Sequence, residues 1–85
     1  MVTLLREEGY RVFIYSHDHP HPPHVHIEKA ESVSVWNIET LECMGNIGCS
    51  SGELRKMRRF LLKYEQTILE HWHAEWQRRQ QGESG

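Results

Sequence analysis

Short runs rich in apolar and β-branched residues occupy the chain up to Ile38, and from Leu54 onward the apolar residues recur every three or four positions. The first pattern predicts strands and the second an amphipathic helix. Thr3–Arg6 and Tyr10–Tyr15 read as a hairpin closed by the turn Glu7-Glu8-Gly9. Ser16–Pro23 (SHDHPHPP) is a stiff loop, because its three prolines remove amide donors and fix φ. His24–Glu28 alternates, with Val25 and Ile27 on one side and His24, His26 and Glu28 on the other. After a turn at Ala30-Glu31-Ser32, Val33–Ile38 forms the next strand. Residues 39–49 fit one helical turn with a Gly-Asn connection, and Ser50-Ser51-Gly52-Glu53 matches a capping box that starts a helix running to about residue 79. The expected fold is α+β, an antiparallel sheet of three or four strands packed on one long C-terminal helix. Residues 1–79 make the single domain and 80–85 a flexible tail.

On a helical wheel, Leu54, Met57, Leu61, Tyr64, Ile68 and Trp72 share the face expected to cover the sheet. A second line, Leu62, Leu69 and Trp76, recurs every seven residues about 100° away. It reads either as a broad core stripe or as an interface for a second copy or a small partner protein. A helix of this length spans about 40 Å, more than the width of so small a domain, which is the ground for the partner reading beside the blander core stripe.

Charge is distributed unevenly. The formal net charge is −2, yet residues 53–63 hold five basic groups against Glu53. Arg55, Lys56, Arg59 and Lys63 lie opposite the core face and form a candidate contact for nucleic-acid phosphate. Two cysteines and no leader-like or 20-residue apolar stretch predict a cytoplasmic protein with reduced, buried thiols and no membrane span.

Five of the seven histidines, His17, His19, His21, His24 and His26, fall within ten residues. Two histidines one residue apart on a strand point the same way, so His24 and His26 are candidate ligands for a divalent transition metal (zinc, manganese or iron). The third ligand would be His19 or Asp18 from the loop, or Glu28 from the strand. Two histidines and a carboxylate with open positions suit hydrolytic or oxygen-activating chemistry.

The segments GYRVFIYS (Gly9–Ser16) and PPHVHIE (Pro22–Glu28), Trp36, the helix start ELRK (Glu53–Lys56) and the stretch His71-Trp72-His73 resemble one family over roughly residues 2–76. It is the bacterial domain-of-unknown-function family numbered 4160. The resemblance transfers no activity. It implies a small bacterial protein, often encoded beside another small protein in arrangements like toxin–antitoxin pairs, and it carries over His19, His24 and His26. The leading expectation is an interaction protein of that kind with a histidine-rich ligand or metal site. The alternatives are a small metal- or histidine-dependent nuclease or phosphoesterase, and an RNA-binding module using the basic helix face.

Overall fold

The structure is a computed structural model that describes residues 1–15 and 22–84, with side chains described as far as residue 79. Expectations placed on His17, Asp18, His19 and His21 fall outside the described residues. The chain runs β1 (Val2–Glu7), β2 (Tyr10–Ile14), β3 (His24–Lys29), β4 (Ser32–Asn37), β5 (Cys43–Ile47) and α1 (Ser51–Ser84). The strands form one antiparallel five-stranded meander in sequence order.

The α+β class and antiparallel pairing match the sequence expectation, and the strand count of three or four is corrected to five. The added strand, β5, lies where a helical turn was expected. All five of its residues are exposed, so Cys-Met-Gly-Asn-Ile carries no alternation to announce a strand. Backbone pairing to β4 defines it instead, after a turn in which Asn37 Oδ1 accepts from the amides of Glu39 and Thr40. Cys43 is therefore exposed and only Cys49 is half-buried, against the expectation that both would be interior.

Each turn has a local cause. Glu8 and Gly9 both take positive φ (53° and 82°), the backbone twist that joins β1 to β2 in two residues. At the helix start, the Glu53 amide donates to Ser50 Oγ (3.2 Å) and the Ser50 amide donates back to Glu53 Oε1 (3.3 Å). This is the expected capping box. Ser32 Oγ donates to the Gly48 carbonyl (2.9 Å) and lies 3.4 Å from Glu53 Oε2, placing the start of β4 beside the cap.

One side of the sheet is covered by α1. Leu4, Tyr10, Val12, Ile14, Val25, Ile27, Trp36 and Ile38 pack against Met57, Phe60, Leu61, Ile68 and Trp72. The helix seam proceeds in steps of three and four, as its sequence requires. The seam is broken once, at Tyr64, whose φ of −109° and ψ of 15° are not helical. The kink sits where the β1–β2 turn reaches the helix: Lys63 Nζ lies 3.0 Å from Glu8 Oε2, and Phe60 stacks between Tyr10 and Tyr64. Beyond it α1 continues to Ser84, past the end expected near residue 79. The molecule measures 45 × 22 × 22 Å, so the helix does outrun the sheet.

Two buried polar groups fit this core. Ser34 Oγ accepts from Trp36 Nε1 (2.7 Å) and donates to Met57 Sδ (3.0 Å). Glu75 is gripped by Arg78 (2.7 Å) and Arg79 (3.3 Å). Burial pushes the Glu75 carboxyl up, and the hydrogen bonds and charges of the two arginines outweigh it, holding the group below the usual carboxylate range. Arg79 also donates to the Tyr15 carbonyl (3.4 Å), fastening the helix to the end of β2.

Candidate functional site

Strand alternation turns a second set of side chains away from α1. Arg11, Phe13 and Tyr15 follow β2, His24, His26 and Glu28 follow β3, and Val33, Val35 and Asn37 follow β4. Register aligns them into cross-strand rows. Phe13 pairs with His26, His26 with Val35 and Val35 with Gly45, while Arg11 pairs with Glu28, Glu28 with Val33 and Val33 with Ile47.

The centre of this face is aromatic. Phe13 and His26 stack with centroids 5.2 Å apart and planes 18° apart. Tyr15 meets both edge-on, at 5.3 Å and 4.8 Å, and the His24 ring lies 5.7 Å from that of His26. Arg11 lays its guanidinium 4.5 Å above Phe13 and holds Glu28 at 3.2 Å. Phe13 is 1% exposed although it points away from the helix. Next to it the face is aliphatic: Val33 and Val35 are half-buried and Ile47 is 76% exposed.

His24 has a defined tautomer. Its Nδ1 lies 2.8 Å from the Pro22 carbonyl, which can only accept, so Nδ1 carries the hydrogen and Nε2 the lone pair of the neutral ring. A carbonyl held in this way orients many metal-bound histidines. The predicted ligand set is only partly assembled, however. His24, His26 and Glu28 share one face as expected, but Glu28 is engaged by Arg11 and His19 lies outside the described residues. Among the described residues no group of three or more His, Cys, Asp or Glu side chains could hold a metal ion.

The helix candidates separate in the structure. Leu62 is 49% exposed, whereas Leu69 and Trp76 pack partly buried against the domain's own core. Along the seven-residue line Leu62 is thus open to solvent, while Leu69 and Trp76 rest in part on the core. Of the basic residues, Arg55, Lys56 and Arg59 are exposed, while Lys63 is tied to Glu8. Among the described residues no helix is long and apolar enough to cross a membrane.

Two features escaped the sequence reading. In Val33-Ser34-Val35-Trp36 the valines face outward and Ser34 faces the helix; the signal was Trp36, whose bulk claims the interior and carries Ser34 with it by parity. A cavity of about 480 Å³ also opens between the end of β4 and the second half of α1, lined by Pro23, Ile38, Glu39, Glu65, Leu69, Trp72 and His73. It joins residues up to 50 positions apart, which no local pattern announces.

A protein-family model described as a domain of unknown function, DUF4160, matches residues 9–73 of the 85-residue chain. The matched region holds β2 through β5 and the helix as far as His73, including every described residue of the histidine face. Comparison with curated proteins found no match, and comparison with solved structures found none either.

Proposed function

We propose that this chain, which belongs to the DUF4160 family, is a small interaction protein, one component of a toxin–antitoxin-like pair, that receives its partner on the sheet face opposite the helix. The observation that carries this reading is the outward pair Val33 and Val35 beside Phe13 and His26, with Ile47 exposed at the margin. Aliphatic side chains turned to solvent beside an aromatic cluster with polar handles have the composition of an interface centre. The test is co-expression with the product of the adjacent reading frame. Val35→Glu should abolish co-purification while lowering stability by about 1 kcal/mol or less. Undiminished co-purification of that variant would remove the reading.

A second reading, a divalent transition metal at His24 and His26, is favoured by the His24 tautomer that the Pro22 carbonyl sets. Its third ligand would come from His19, since Glu28 is held by Arg11. Calorimetry with zinc and manganese should show binding to tag-free protein that His24→Ala with His26→Ala removes. Equal binding by the double variant sinks it.

A further inference from the structure

The cavity at the β4–α1 junction lies apart from the histidine face. Its floor is apolar, with Ile38 3% and Trp72 7% exposed and Leu69 half-buried. Glu39, at the exit from β4, and Glu65, one residue past the helix kink, also line it. Neither carboxylate makes an ion pair among the described residues, in contrast to Glu8, Glu28 and Glu75, each held by a lysine or arginine. The volume of about 480 Å³ is in the range of small-molecule sites.

The lining selects the chemistry of an occupant. Two carboxylates favour a cation. A calcium or magnesium ion that sheds its water needs about six oxygen ligands, more than two carboxylates and an apolar floor supply, and one that keeps its water gains nothing from the apolar floor. An ammonium or guanidinium on an apolar stem satisfies both parts, with its stem on Ile38 and Leu69 and its charge between the carboxylates and the Trp72 indole, a favourable neighbour for cations. We infer that this cavity is a binding site for an organic cation, an amine or guanidine carried on an alkyl or aryl stem. The inference does not depend on the partner reading, because Val35 is on the opposite side of the sheet.

The test uses hexylamine and its neutral counterpart hexan-1-ol, titrated into the full chain and followed by NMR shifts of the Trp72 indole and Leu69 methyl groups. A short peptide containing lysine forms a third arm, which separates a free amine from a side chain offered by a polypeptide. Hexylamine should bind about tenfold tighter than hexan-1-ol, and the preference should shrink as salt is raised. Glu39→Gln with Glu65→Gln should erase the preference while hexan-1-ol binding persists. The inference fails if hexan-1-ol binds as well as hexylamine to wild type, if neither moves these resonances, or if the double variant keeps the preference. The salt titration needs only wild-type protein, so the result stands whatever the variants do to folding.

Discussion

Strand β3 belongs to two different surfaces. On the helix side Val25 and Ile27 are fully buried by side chains that come from far along the chain. On the other side His24, His26 and Glu28 are half-buried, and their neighbours are the cross-strand residues Arg11, Phe13, Tyr15 and Val35. The helix side mixes aliphatic with aromatic side chains, and the Ser34 hydroxyl buried among them is satisfied by both a donor and an acceptor. On the histidine side Phe13 is equally buried, but it is flanked by an imidazole, a phenol and a guanidinium. The first surface is specified by volume and the second by polar groups interleaved with an aromatic cluster. That difference assigns stability chiefly to the helix side, and the proposed partner reading rests on the other.

The largest effect should come from the helix side. Ile27→Ala removes a fully buried side chain beneath α1 and should cost about 2–5 kcal/mol in chemical denaturation. Ser34→Ala should cost about 1–3 kcal/mol, because the Trp36 indole N–H would then be buried without its acceptor. A neutral Ser34→Ala would mean that water or backbone readily replaces the hydroxyl, and that the helix side tolerates polar rearrangement after all.

On the histidine side the expected costs are smaller. His26→Ala loses the stack on Phe13 and should cost about 0.5–1.5 kcal/mol, with the loss of ligand or partner binding far exceeding the loss of stability. If His26→Ala destabilises as much as Ile27→Ala and leaves binding intact, both sides of β3 are core and the comparison collapses. The Arg11–Glu28 pair, with Glu28 39% exposed at its side chain, is worth about 0–1 kcal/mol.

Much of this division was legible in the chain, and the parts that were not share a cause. Val25-His26-Ile27-Glu28 alternates so regularly that the two faces of β3 follow from sequence, and the capping box at Ser50 and Glu53 fixed the helix start. The six residues expected on the main helix face all line the core, and Phe60, set off that wheel position, joins them by stacking on Tyr10. β5 was missed because an exposed edge strand needs no apolar period. The outward valines of β4 were missed because Ser34 reverses the usual parity, and its hydrogen bonds with Trp36 and with Met57, 23 residues away, explain why a serine is tolerated inside. Leu62 is likewise separated from Leu69 and Trp76 by the helix break at Tyr64, which no local pattern announces. Local chemistry was readable, and distant juxtaposition was not.

The smallest expected effect is the sharpest in its pH dependence, and it lies where the two sides meet. Glu75 holds Arg79, and Arg79 reaches the carbonyl of Tyr15, whose ring belongs to the histidine side. The Glu75 carboxyl is held below its ordinary value, so folding favours its charged form. The unfolded chain therefore binds the proton first as pH falls, and stability from this group is complete above the unfolded value of about 4.3. It is lost progressively as pH drops through the lower folded value. Glu75→Gln keeps the shape and removes the charge. The gap in melting temperature between wild type and this variant should be widest above about pH 5 and should close as pH falls below about 4. Glu8 and Glu53, whose carboxyls are also lowered by hydrogen bonds, are present in both proteins and cancel in the difference. A gap that stays constant from pH 3 to pH 6 would show that the arginines hold Glu75 by packing alone, and that the junction between the two sides carries no charge dependence.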